Sequence, residues 1–139
     1  MKARAVKGLD PTTPLRPNAA LVIRSRLEEL RALEDRALEP DATEAQHDLR
    51  IAAKRLRYAL EVAGPCFGSE AEAARKVARE LQSVLGELRD CDQLLSRGEG
   101  ADSLASFLPT RREVLFARFR ELWRSAESSA AFSGLERLL

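Results

Sequence analysis

The chain has 139 residues, which fit one domain, and its 45% hydrophobic and 5% aromatic content favours helices packed through Leu and Ala. With 23 Lys and Arg against 22 Asp and Glu, the net charge of +1 excludes a global field that would attract the whole molecule to a polyanion. An anion site must therefore arise from local sorting of charge.

Cys66 and Cys91 show no CxxC or Cys/His metal spacing, so we expect buried apolar residues rather than a disulfide or metal ligands. The basic residues 1–9 are not followed by the apolar run of a signal peptide. No stretch reaches the ~20 apolar residues that span a bilayer. These features predict a soluble cytoplasmic protein without metal or cofactor.

The prolines mark the first boundary. Three of the six prolines lie in residues 1–17, which predicts an extended lead-in, followed by a helical bundle over residues 18–139. Apolar residues at helical spacing predict a first helix over residues 18–38. A second helix is predicted to start at residue 41 or 43 and to end at Ala63, because Gly and Pro follow.

Two helix starts carry capping signals. Thr43 stands three residues before Gln46, which is the spacing of a capping box. Ser69 is a residue type that caps helices, and a third helix is predicted from there to about residue 95. A glycine-containing segment, residues 98–100, is expected to end it.

The last third of the chain predicts a fourth helical region over about residues 102–126. Because proline has no backbone N–H, Pro109 should divide this region into a short helix and a fresh start. Residues 134–139 predict a short final helix. Four helices of roughly 20 residues with short breaks predict an all-α fold, an antiparallel four-helix bundle.

The second predicted helix gathers positive charge on one face. At about 100° per residue, four side chains share an arc of roughly 80°, and apolar residues occupy the opposite arc. Arg55 lies to one side of this arc. The face is ~15 Å long, so an extended anion could lie along it. We call its four residues the first basic stripe: His47, Arg50, Lys54 and Arg57.

The third predicted helix repeats this pattern, with Val77, Leu81 and Leu88 on its apolar side. Gly86 within a helix costs ~1 kcal/mol relative to Ala, and would let a backbone or ligand come close. If the two helices are neighbours, their polar faces form the walls of one basic groove. The second basic stripe consists of Arg75, Arg79, Gln82, Gly86 and Arg89.

An ordinary solvated face is the competing interpretation, since arginines on bundle helices are usually hydrated or paired with acids from neighbouring helices. The scarcity of compensating acids on both stripes favours an anion site instead. Arginine offers paired donors that suit phosphate oxygens. His47 can donate from a ring nitrogen and gains charge below about pH 6.5.

Two sequence blocks carry a family resemblance. His47-Asp48-Leu49-Arg50, followed by Ala53-Lys54-Arg55-Leu56-Arg57, resembles the first motif of the CHAD family, the conserved histidine α-helical domain. Leu85-Gly86-Glu87-Leu88-Arg89-Asp90-Cys91-Asp92 resembles its second motif. The resemblance extends over residues 18 to about 126 as one half-domain, and residues 6–9 look like the opening of short bacterial members.

The resemblance implies a non-catalytic helical bundle whose basic surface binds inorganic polyphosphate. Position by position, it implies that the first-motif residues His47, Arg50, Lys54, Arg55 and Arg57 contact the anion, together with Arg89 of the second motif. Arg75 and Arg79 match more loosely. Family members usually contain two such halves, so a homodimer is expected to rebuild the full groove. Association with polyphosphate granules is a further expectation.

Asp90 and Asp92 have two interpretations. They could coordinate a divalent cation that accompanies phosphate, or Asp90 could orient an arginine such as Arg50 through an ion pair. We favour the ion pair, because two carboxylates without further acids make a poor metal site.

Other functions remain open at this point. Nucleic acid could bind through its phosphates as a weak nonspecific competitor, although no stacking platform or helix-turn-helix is visible, and Phe116, Phe119 and Trp123 are expected in the core. A scaffold that binds an acidic or phosphorylated partner protein is not excluded. An enzyme is the least favoured, since no nucleophile, phosphate loop or metal cluster accompanies the one histidine.

Overall fold

In a computed structural model, which describes residues 1–98 and 102–139, the chain is all-helical, and no strand occurs in those ranges. The all-α prediction is confirmed. The described residues form six helices rather than the predicted four, with a single 3-10 turn at Gly64–Cys66. The helices are α1 Leu15–Ala32, α2 Glu34–Ala37, α3 Thr43–Ala63, α4 Ser69–Arg97, α5 Asp102–Arg124 and α6 Ala126–Leu138.

One core rich in Leu and Ala joins the helices. The helix α4 packs against α3, α5 and α6, while α1 packs on α3. The apolar faces predicted for the second and third helices are buried, and so are the three aromatic residues expected in the core. Successive rings lie 6.0, 6.4 and 6.1 Å apart between centroids along the series Phe116, Phe119, Trp123 and Phe132.

The predicted break at Pro109 is wrong, because α5 runs through this residue without interruption. Proline cannot donate to the carbonyl of Ala105, and such a residue inside a helix costs about 3 kcal/mol. Buried Leu108 before the proline and Leu115 after it lie on the same continuous helix. The burial of this apolar face outweighs the lost hydrogen bond, since each large side chain contributes about 1.5–3 kcal/mol.

Several helix ends differ from the prediction. The helix α1 begins at Leu15, so part of the predicted lead-in is helical, and it ends at Ala32 before a separate α2. The predicted final helix is too short. The observed final helix, α6, starts at Ala126, because the Ser125 hydroxyl accepts the backbone N–H of Ser128 at 3.1 Å and caps this helix.

The two capping predictions are wrong. Ala42 precedes α3 and provides no side-chain cap. Gln46 is buried, and its side-chain amide donates to the carbonyl of Glu39 at 2.9 Å. Glu39 lies in the loop before α3, so Gln46 does not bond to the backbone at the start of its own helix. The helix α4 is preceded by Gly68, whose φ of 77° suits glycine, so Ser69 is already inside the helix.

Gln46 also joins three parts of the fold. Its amide oxygen accepts from Arg112 of α5 at 2.7 Å, and Arg112 further donates to the Pro40 carbonyl at 2.7 Å and to Asp92 of α4 at 2.5 Å. The loop before α3 is thereby attached to both α4 and α5. Since the side chains of Gln46, Arg112 and Asp92 are largely shielded from water, each lost partner among them leaves a costly unsatisfied atom.

We predict that Gln46→Leu lowers the free energy of unfolding by about 2–4 kcal/mol, because Arg112 and the Glu39 carbonyl lose their partner in a buried place. Urea unfolding followed by circular dichroism measures this change. Gln93→Leu is the matched control, since Gln93 is exposed on α4. Equal unfolding midpoints for the two variants would contradict the structural role of Gln46.

Candidate basic groove between helices α3 and α4

The two basic stripes lie on neighbouring helices, as the predicted groove requires. Among the described helices, α3 and α4 share the most extensive interface. Leu49, Leu56, Leu81 and Leu85 on their inner faces are each at most 1% exposed. Because these inner faces are fixed in the core, the polar faces of both helices border the same outer groove.

A shallow pocket of about 410 Å³ lies in this groove. It brings together three of the predicted cationic residues with Gly86 and Asp90, and it adds three residues that were not among the predicted contacts. Gln82 belongs to the second basic stripe, whereas Ser83 and Glu87 are polar positions that flank it. The lining residues are Arg50, Arg57, Arg79, Gln82, Ser83, Gly86, Glu87 and Asp90.

Gly86 permits the close approach that its position predicts. A Cβ atom at this residue would lie 3.3 Å from Nε of Arg50, tighter than a normal contact between these groups. The absence of a side chain therefore gives room for the Arg50 side chain beside α4. The approaching group is an arginine of the opposite stripe rather than a neighbouring backbone.

The groove holds several buried donor nitrogens that have no acceptor among the described residues. Such atoms are uncommon, because an unsatisfied buried donor costs about 1–3 kcal/mol. They are Nε of Arg50, Arg57 and Arg89. Nδ1 of His47 and Oε1 of Gln82 are also buried without a hydrogen-bond partner.

Carboxylates neutralise the ends of the groove. At one end Glu44 lies 3.5 Å from Arg89. At the other end Glu61 lies 3.6 Å from Arg57 and 3.9 Å from Arg75. Both acids are exposed, so these pairs are screened by solvent and contribute little.

Arg75 is already paired with a carboxylate on its own helix. Glu72 accepts from its Nε and Nη2 atoms, both at 2.8 Å, and the hydrogen bond from Arg75 is the main reason why the pKa of Glu72 is lowered. This paired geometry leaves Arg75 less available to an anion than the other candidates. In contrast, Arg50, Lys54 and Arg79 form no ion pair within residues 1–98 or 102–139.

Arg55 lies on the other flank of α3, as its position beside the first stripe predicts. Its Nη2 donates to the backbone carbonyl of Met1 at 2.5 Å, and its Nη1 is buried without an acceptor among the described residues. Arg55 therefore does not line the α3–α4 pocket. It belongs to a separate contact with the N-terminal residues.

The two aspartates have different surroundings. Asp92 pairs with Arg112. The sequence does not predict this ion pair, because residues twenty apart on different helices leave no periodic signal. Asp90 lines the pocket beside Arg50, but these two residues form no ion pair, so the predicted orienting contact is absent. The part of the chain that the structure describes contains no group of three His, Cys, Asp or Glu suited to a metal.

His47 lies half-buried near the start of α3. Burial is the largest cause that lowers the pKa of its imidazole, and the positive charge of Arg89 lowers it further, while Glu44 and Asp48 act in the opposite direction. The free protein therefore favours neutral His47 at neutral pH.

A known family matches the part of the chain that carries both basic stripes. The family model of the CHAD domain matches residues 2–99, which is more than half of the chain. The chain belongs to the CHAD family. This match contains both motif blocks and the helices α1 to α4, and it begins and ends earlier than the predicted coverage. No curated protein and no solved structure matches.

CHAD domains are known for binding polyphosphate and are generally binding domains rather than catalytic ones. Of the motif residues, Arg50 and Arg57 line the α3–α4 pocket, and Arg89 lies 3.5 Å from Glu44 at one end of the groove. Within the described residues, no helix combines the length and the apolar character needed to cross a membrane.

We predict that His47 titrates with a pKa below its ordinary value of about 6.5. Since the folded state disfavours the proton, the stability that neutral His47 contributes is complete above pH 6.5 and declines as the pH falls below it. The chain has one histidine, so its NMR signals are assigned without ambiguity. Added polyphosphate should raise the pKa by opposing the charge of Arg89. A midpoint at or above 6.5 in the free protein would contradict this environment.

Proposed function

We propose that the protein binds inorganic polyphosphate without catalysis in the basic groove between α3 and α4. The observation that carries this proposal is the group of cationic heads that the fold leaves unneutralised. Arg50 and Arg79 line one pocket from opposite helices and have no carboxylate partner among the described residues.

The donor chemistry favours phosphate. A guanidinium group presents parallel N–H donors that match two oxygens of one phosphate. Arg50, Arg57 and Arg79 line the pocket, and Arg89 lies beside Glu44 at one end of the groove. A linear anion with a charge on every unit would contact these guanidinium groups in succession, whereas a single phosphate would reach only some of them.

Nucleic acid fits the groove less well. Single-stranded nucleic acids bind through base stacking on exposed aromatic rings as well as through phosphate. Tyr58 of α3 is half-exposed, but the guanidinium of Arg57 lies over its ring, 4.8 Å from the centroid. One face of this ring is therefore covered. A phosphorylated or acidic partner protein would use the same cations, and competition by polyphosphate distinguishes this case.

The pairing of two copies, the cytoplasmic location and the association with granules remain part of this proposal. They rest on the family resemblance alone. Sedimentation equilibrium with and without polyphosphate measures the pairing, and a homodimer is the expected state.

We predict that the double variant Arg50→Ala and Arg79→Ala weakens polyphosphate binding at least tenfold, since two charge-assisted contacts contribute about 1.5–3 kcal/mol each. Isothermal titration at several salt concentrations measures affinity. The slope of log affinity against log salt should fall by about one for each lost phosphate contact.

The matched control is Arg124→Ala with Arg137→Ala, which removes the same charge from exposed positions on α5 and α6. Its affinity should remain close to that of the unmodified protein. Arg75→Ala should also have a small effect, because Glu72 already occupies that guanidinium. If the groove variant and the control bind equally, the groove is not the binding site.

We predict that Glu44→Gln strengthens polyphosphate binding by about two- to fivefold, because an anion no longer competes with this carboxylate for Arg89. The gain should shrink at high salt, where exposed charges are screened. Glu113→Gln on α5 is the control, since Glu113 is exposed and has no ion pair among the described residues. Equal gains in both variants would show a general charge effect instead.

A further inference from the structure

The N-terminal segment, residues 1–9, is attached to the bundle although it forms no helix. At its first residue, the Met1 carbonyl accepts the hydrogen bond from Arg55 of α3. At its other end, the Asn18 amide of α1 donates to the Asp10 carbonyl at 2.9 Å and accepts the Asp10 N–H at 2.7 Å. The segment therefore runs from the start of α1 to the outer flank of α3.

A buried carboxylate holds the middle of this segment. Glu29 of α1 is 3% exposed and accepts the backbone N–H of Arg4. Arg26 pairs with the same carboxylate at 3.0 Å and donates to the Arg4 carbonyl at 3.2 Å. Burying a charge is costly unless it is paired, so removing the segment would leave Glu29 with fewer partners. The attachment is thus part of the folded structure.

The segment carries three cations and no acid before Asp10. Lys2 and Arg4 are exposed and their side chains form no ion pair within the described ranges. Lys2 directly follows the carbonyl that Arg55 contacts, which brings its charge to the flank of α3. The fold therefore places Lys2 beside Arg55 of α3 and Arg4 beside α1, and neither residue lines the α3–α4 pocket.

Lys54 connects the two flanks. At 100° per residue, Arg55 and Arg57 lie on opposite sides of Lys54 around α3. Lys54 has no ion pair among the described residues, and it lies on the outer surface of the helix between the groove and the N-terminal segment. A polyphosphate chain that extends beyond the groove can cross α3 over this cation.

We infer that the N-terminal segment forms a second binding wall, in which Lys2 and Arg4 contact a long polyphosphate after it crosses α3 at Lys54. This inference rests on the proposed function and deepens it, since it makes affinity depend on ligand length. Tripolyphosphate fits within the α3–α4 groove and does not need the second wall. Long-chain polyphosphate engages both walls, and the second contact gains from being intramolecular.

The test compares tripolyphosphate with long-chain polyphosphate by isothermal titration of the full chain. Lys2→Ala with Arg4→Ala should weaken long-chain binding about fivefold, as two exposed ion contacts predict, and leave tripolyphosphate binding unchanged. The control is again Arg124→Ala with Arg137→Ala, which lowers the net charge equally. Hydrogen exchange at the backbone amide of residue 4, whose N–H donates to Glu29, verifies that the segment remains attached in the variant.

The possible results separate the two proposals. A selective loss for the long chain supports the second wall. If the Lys2 and Arg4 variant equals the control while the unmodified protein binds, the second wall is wrong and the groove proposal stands. An equal loss for both ligands would also overturn the second wall, because the segment would then act on the groove itself. An unmodified protein that binds neither ligand overturns both proposals.

Discussion

The packing of α3 on α4 holds like charges together. Their inner faces contain small buried residues, Ala52 and Ala53 on α3 and Ala74 and Ala78 on α4, which permit a short distance between helix axes. Neighbouring cations on an exposed helix repel by only about 0.2–0.5 kcal/mol per pair, whereas each buried leucine contributes about 1.5–3 kcal/mol. Burial of the core therefore outweighs the repulsion between the cations, and the arginines cannot separate without exposing the core.

This constraint explains how a chain with a net charge of +1 can present a concentrated positive surface. Acids are almost as numerous, 22 against 23 Lys and Arg, but their positions differ. Glu44 and Glu61 reach the ends of the groove, while Glu87 lines the pocket and pairs outward with Arg111 of α5 at 3.0 Å. In the middle of the groove, Arg50 and Arg79 form no ion pair among the described residues, although Asp90 lines the same pocket. A ligand that occupies the whole length must compete with the exposed carboxylates of Glu44 and Glu61, whose ion pairs are weak.

The periodicity of the sequence predicts the parts of this arrangement that depend on helix geometry. Both stripes and their apolar faces follow from a 100° repeat, whereas the neighbouring position of the two helices is seen only in the structure. Contacts between distant residues do not follow from it. The pairing of Arg112 with Asp92, the turn of Gln46 away from its own helix start and the contact of Arg55 with Met1 depend on loop paths and rotamers. A local capping pattern at Thr43 was overridden because a buried amide had better partners elsewhere.

The same geometry distinguishes this groove from an ordinary solvated face. On a solvated face, the arginine heads extend into water and each donor is hydrated, so binding must first order flexible side chains at about 0.5–1.5 kcal/mol each. Here Nε of Arg50, Arg57 and Arg89 is buried, and Gly86 makes room for Arg50 against α4. The stems are held by packing before a ligand arrives, while the heads remain without carboxylates at the centre. The restricted stems lower the ordering cost that an anion would meet at the proposed site.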